Sequence, residues 1–284
     1  MFTIDAHHHF WNPDEGDYSW MTEAHAPIRQ IFGAAKFRPA LNSADVAKTI
    51  VVQTWSSEEE TARFLALAEE TDFVAGVVGW VDLTRADVAD RLDSLLERPG
   101  GRWLVGIRHQ VHDEPDEAWL LREDVQRGLC AVADRDLTYD LLIRPRELRA
   151  SYETVVRFPD MRFVVDHIAK PDIKGGGTAG WRDGLARLAE HRDHVWIKLS
   201  GMVTEADWVA WRADQIKPYI DTVIDLFGAD RCMLGSDWPV CLLAADYQST
   251  IELVRDAIAS LTIKEQTSVL SGSATSAYRL QARL

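Results

Sequence analysis

Short apolar runs rich in β-branched residues recur along the chain at 3–10, 50–53, 74–80, 105–108, 139–143, 162–167, 195–199 and 232–236. They are nearly continuous in hydrophobicity, as a parallel sheet buried on both faces requires. Helical patterns lie between them. Ser57-x-x-Glu60 and Thr84-x-x-Asp87 read as capping signals, and Val88, Leu92, Leu95 and Leu96 mark one helical face that Pro99-Gly100-Gly101 terminates. Ile216, Ile220, Val223, Ile224 and Phe227, ahead of Gly228, repeat the pattern. Eight such alternations in 284 residues predict an α/β fold, a (β/α)8 barrel, with an open doubly wound sheet as the alternative. The barrel gains because the first and eighth runs both end in reactive side chains, which closure would bring together.

The alternation breaks at 11–42, where Trp11, Tyr18, Trp20, His25 and Phe32 sit among Pro13, Pro27 and Pro39. This predicts a long aromatic loop after strand one, placed to rim an active site. The glycine-rich 174–178 stretch matches neither phosphate-binding loop and reads as an ordinary connection. The expectation is therefore one barrel domain over residues 1–284.

Composition narrows the function classes. With 46% hydrophobic residues the chain supports a large core, while a net charge of -14 and no basic run argue against a nucleic-acid partner. There is no apolar stretch of membrane-spanning length and no signal-peptide pattern, which predicts a soluble, cytoplasmic protein without a membrane partner. Cys130, Cys232 and Cys241 are odd in number and lack zinc-ribbon spacing, in keeping with a reducing compartment.

Strand ends supply the chemistry, because in a barrel they converge at one mouth. His7 and His9 share a strand face and His8 points away. Gln53 and Trp55 follow strand two, Arg108 and His109 end strand four, His167 and Lys170 follow strand six, and Asp237 and Trp238 follow strand eight. Three imidazoles and a carboxylate suit hydrolytic attack by water: imidazoles or a metal polarise a carbonyl, and Asp237 takes the proton. Arg108 offers planar donors to a carbonyl or carboxylate oxygen. Regular alternation turns His109 away from Arg108 and Asp166 away from His167. Eleven tryptophans, several just after strands, suggest flat walls for a ring, and Gln53, Arg108 and Lys170 suggest a hydroxylated one.

With Asp5-Ala6-His7-His8-His9-Phe10-Trp11, Gly106-Ile107-Arg108-His109, Asp166-His167-Ile168-Ala169-Lys170-Pro171, Lys198-Leu199-Ser200-Gly201 and Gly235-Ser236-Asp237-Trp238-Pro239, the chain resembles the amidohydrolase superfamily. More narrowly it resembles the lactonase branch, which includes L-fuconolactone and L-rhamnonolactone hydrolases. The resemblance implies a distorted barrel with His7, His9, His167 and Asp237 at the reaction centre. It implies opening of a lactone ring, with Asp237 activating water. Arg108 stands where two-metal members carry a bridging lysine, and strand five lacks a histidine, so a binuclear centre is not expected. One zinc ion on His7, His9, His167 and Asp237 is the expected metal site, in a branch that also includes members dispensing with a metal.

These readings converge on a hydrolase of a sugar lactone, such as L-fuconolactone, with a small-molecule substrate as its partner. The rivals are a metal-dependent decarboxylase of the same superfamily, a lactonase for muconolactone-type or pyrone dicarboxylate rings, and a binding protein with structural histidines.

Overall fold

The computed structural model describes the backbone of residues 1–284 and, Ala282 apart, their side chains. Eight strands form one all-parallel sheet in chain order: β1 (Ile4–His8), β2 (Lys48–Val52), β3 (Val74–Gly79), β4 (Leu104–His109), β5 (Thr138–Leu141), β6 (Phe163–Val165), β7 (Val195–Leu199) and β8 (Cys232–Leu234). Beyond β8 the ends meet. Asp237 N–H donates to His7 O at 2.8 Å and His9 N–H to Trp238 O at 2.6 Å, closing the barrel at its mouth. The barrel expectation therefore holds over the open sheet.

Two apolar layers follow from closure. Ile4, Ala6, Ile50, Val52, Ala75, Val78, Val105, Val164 and Met233 pack inside the barrel with Ala277 and Tyr278 of the C-terminal segment. A larger layer sits between the strands and the surrounding helices. No helix among the described residues is long and apolar enough to cross a membrane.

A register shift between Asp5 and His8 places the opening histidines. Ala6 packs inside and so does His7, its successor, so the bulge turns two consecutive residues the same way. His8 then faces outward, with Nε2 2.9 Å from Thr49 Oγ1 and its ring against Phe37. Asp5, also outward, ties the two ends together: it accepts from Ser236 Oγ at 2.6 Å, Ser236 N at 2.9 Å and Tyr247 Oη at 3.1 Å.

Two local expectations are corrected. The cap at Ser57 forms, accepting from Glu59 and Glu60 N–H groups, but Thr84 caps nothing: its hydroxyl donates to Asp82 and the helix begins only at Val88. The 11–42 segment is not all loop, since it contains a 3-10 turn at Glu23–Ile28 and ends in the helix Ala34–Ser43. That helix buries only Phe37 and Leu41, too few apolar positions to register as periodicity. The rest of the segment is held by the Trp11–Phe32 backbone pair, by Trp11 Nε1 donating to Ile28 O at 3.1 Å, and by aromatic contacts of Trp11 with Tyr18, Trp20 and Phe32.

Candidate active site

Asp237 is the hub of the barrel mouth. Its Oδ1 lies 3.2 Å from His9 Nε2 and 3.9 Å from both His7 Nε2 and His167 Nε2. All four residues are buried. Burial alone would raise the Asp237 carboxyl, but His167, His9 and Lys170 outweigh it and hold it below the usual carboxylate range.

Each imidazole has a fixed partner on its far side. His9 Nδ1 donates to Val52 O at 2.8 Å, because a carbonyl only accepts. His167 Nδ1 is 2.9 Å from Ser200 Oγ. His7 Nε2 lies 3.1 Å from Arg108 Nη1, while Nδ1 faces both Lys198 Nζ at 3.1 Å and Asp166 Oδ1 at 3.3 Å. Burial, aided by Lys198 and His167 and opposed by Asp166, pushes His7 well below the ordinary histidine range. Burial likewise brings His167 down to about 4.

Beneath His7 runs a buried charge network. Lys198 Nζ contacts Asp140 Oδ2 at 2.6 Å and Asp166 Oδ1 at 2.9 Å, Arg108 Nη1 contacts Asp166 Oδ2 at 3.0 Å, and Tyr278 Oη donates to both Asp140 oxygens. Burial would raise Asp166, yet Lys198, His7 and Arg108 hold it well below its ordinary value. Asp166 follows the alternation of β6: Val164 packs inside the barrel, Val165 faces the helices and Asp166 turns back inside, beneath His7. Alternation would then send His167 outward, but β6 ends at Val165 and the chain leaves the strand there.

That departure is itself unusual. His167, Ile168, Ala169 and Lys170 all have positive φ, between 46° and 59°. Left-handed backbone costs about 1–2 kcal/mol per non-glycine residue, so the burial of Ile168 and Ala169 must over-determine the turn. The turn presents both His167 and Lys170 to the mouth. Gly201, at φ 67°, gives His167 its room: a Cβ there would lie 2.6 Å from His167 Nδ1.

Above the hub is a cavity of about 370 Å³ lined by His9, Arg108, His167, Lys170 and Asp237, together with loop residues including Trp11, Trp20, His25, Gln110, His112, Arg144, Glu205 and Trp208. Arg108 and Lys170 therefore reach it. Arg108 is almost fully buried, and its Nε has no protein partner. Lys170 pairs with Glu205.

Four expected substrate contacts do not line this cavity. Gln53 is spent on the scaffold, donating to Arg108 O at 3.2 Å and Gln110 Oε1 at 3.1 Å. His109 points outward, as alternation requires, stacking on Trp119 and meeting Glu114 Oε1 at 2.7 Å. Trp55 and His109 border an adjoining surface hollow beside Glu114, which shares Trp20, Thr54, Gln110 and Asp113 with the cavity. Trp238 stacks on Phe37 in the core, with centroids 4.2 Å apart. Sequence reasoning missed Gln110, His112, Arg144, Glu205 and Trp208, which lie on loops after β4, β5 and β7. Their only signal is position beyond a strand's C-terminal end.

Ligand atoms of His7, His167 and Asp237 all lie within 4.8 Å of one another; His9 is not part of that compact group but adjoins it through Asp237. With His9 Nδ1–H on Val52 O, the Nε2 lone pair of the neutral ring faces a carboxylate oxygen, an arrangement that calls for a cation or a second proton between them. The residues thus fit one divalent ion, provided that Arg108 yields its hydrogen bond to His7.

Residues 4–280 match the family model described as Amidohydrolase, and the chain belongs to that family. It is 38% identical over 250 residues to an L-fucono-1,5-lactonase of Burkholderia ambifaria, covering 87% of this chain and 83% of the relative. An L-fucono-1,5-lactonase of Burkholderia multivorans is 36% identical over 288 residues, covering 98% and 96%. Among solved structures, a Burkholderia multivorans amidohydrolase with bound Zn superposes with a TM-score of 0.92 at 33% identity, covering 98% of this chain and 99% of the other.

Proposed function

We propose that this protein hydrolyses a sugar lactone, with L-fucono-1,5-lactone as the first substrate to test. The observation that carries the reading is the Asp237 hub, one carboxylate oxygen within 3.9 Å of three imidazoles at the floor of a cavity walled by tryptophans. The two lactonase relatives support the same substrate class.

In this reading a water molecule held by Asp237 attacks the lactone carbonyl carbon, and Asp237 takes its proton. The carbonyl oxygen gains the negative charge. Arg108, whose Nε–H lacks a protein partner, and the imidazoles of the mouth stabilise that oxyanion. The tetrahedral centre then collapses, the ring C–O bond breaks, and Asp237 returns its proton to the departing alkoxide. An open-chain hydroxy acid results. A divalent ion held by His7, His167 and Asp237 would supply Lewis-acid polarisation of the same carbonyl.

Tryptophan walls suit a sugar ring, whose C–H faces stack on indole while its hydroxyls reach polar neighbours. Trp20 and Trp208 line the cavity in this way, and Gln110, Thr204 and Glu205 line it as polar groups. The testing experiment assays proton release from a panel of L- and D-sugar lactones before and after chelation, with metal content measured on the same sample. Turnover of L-fucono-1,5-lactone is expected. Inactivity across the panel, or release of carbon dioxide from an unsaturated acid instead, would overturn the reading.

A further inference from the structure

Three cationic side chains line the cavity, and they differ in one respect. Arg108 is paired with Asp166 at 3.0 Å and Lys170 with Glu205. Arg144 has no such partner: among the described residues its guanidinium makes no hydrogen bond or ion pair, although its backbone N–H donates to Glu147 Oε2 at 2.8 Å. That bond anchors the residue where β5 gives way to the 3-10 turn Pro145–Glu147. The neighbouring arginine is used differently, since Arg146 Nη2 donates to His112 O and Glu114 O.

The lining carries three carboxylates against its three cations, and none of these carboxylates contacts Arg144. Glu205 is committed to Lys170, Asp113 stands 3.3 Å from His112 Nε2, and Asp237 is surrounded by imidazoles. His112 registers the local potential. Burial and then the charges of Lys170, Arg144 and Arg108 push it down to about 2, so it is a neutral ring facing cations. An exposed guanidinium at the cavity wall with no protein partner is free to pair with an anionic ligand.

Ring opening makes such an anion. The lactone is neutral, but the acid it yields is a carboxylate at neutral pH, formed beside Asp237, which repels it. The open chain is free to swing, and Arg144 is the cation of the same cavity without a partner. We propose that Arg144 anchors the ionised carboxylate of the open-chain hydroxy acid and so sets how tightly product is held. The proposal rests on the lactonase reading for the identity of that acid.

The test is calorimetric titration of sodium L-fuconate, with the neutral alditol L-fucitol as control, into wild type, Arg144→Gln and Arg144→Lys. Neutralising the cation should weaken L-fuconate binding about tenfold or more, the weight of a charge-assisted contact, and move L-fucitol less than about twofold. Arg144→Lys should keep most of the affinity. In wild type added NaCl should weaken L-fuconate but not L-fucitol, a readout that stands even where a variant fails to fold. Equal affinity of Arg144→Gln and wild type for L-fuconate, equal weakening of both ligands, or salt-independent binding would each overturn the proposal. Because binding is measured without turnover, a failure of L-fucono-1,5-lactone hydrolysis would be seen separately.

Discussion

Gly201 touches His167 so closely that a methyl group on its Cα would come 2.6 Å from the imidazole Nδ1. The contact explains why the chain has glycine directly after Ser200, whose hydroxyl holds that same nitrogen at 2.9 Å. Gly201→Ala should displace the ring and lower kcat by about 100-fold, the scale of an ångström's misplacement. Steady-state kinetics check it, and wild-type turnover would separate His167 position from catalysis.

Lys198 neutralises two carboxylates, Asp140 and Asp166, where no solvent reaches. Lys198→Met leaves both buried without their shared cation, a loss worth about 3–5 kcal/mol. Urea unfolding should show it. A change below about 1 kcal/mol would mean that Arg108 and Tyr278 suffice for the network.

Stability should fall on mild acidification. His8, His112 and His167 are held below the ordinary value of 6.5, first by burial, with His112 at about 2 and His167 at about 4. In the window from 6.5 down to 4 the unfolded chain binds protons that these folded histidines refuse, so protons favour unfolding. Asp5 opposes this. Burial raises it to about 6, so below that pH the folded state binds its proton more readily than the unfolded chain does. Asp140, raised to about 6 by burial, opposes it too, while His7, held well below its ordinary value by burial, adds to the loss. Four histidines outweigh two carboxyls, and unfolding midpoints should record a loss on the order of 2 kcal/mol per pH unit between about pH 6 and pH 5. Constant stability across that window would contradict the neutral histidines.

Trp208 lines the cavity, contacts His25 across the mouth and donates its indole N–H to Thr204 O at 2.9 Å. Removing this wall with Trp208→Ala should raise KM about tenfold while Tm changes little, because the residue is only half-buried. An unchanged KM would place the ring elsewhere in the cavity.

The barrel was legible because its strands are buried on both faces and read as apolar runs, and because His7, His9 and Asp237 interrupt such runs at their ends. Strand alternation correctly sent His8 and His109 outward. It did not foresee that Asp166 and His167 both face inward, for a backbone reason: left-handed residues from His167 to Lys170 cancel the two-residue period, and no residue in Asp166-His167-Ile168-Ala169 announces that conformation. Gln53, Trp55 and Trp238 sit beyond strand ends as the site residues do, so sequence position alone does not separate scaffold from wall. Arg144, His112 and Trp208 belong to three different loops, and only closure of the barrel makes them neighbours.

Replacing Asp237 with asparagine tests the central claim most directly, since the side chain keeps its size and loses its capacity to take a proton. With L-fucono-1,5-lactone as substrate, Asp237→Asn should lower kcat by about 10²–10⁴-fold with KM within a few-fold of wild type. A kcat near that of wild type would contradict Asp237 as the base that activates water.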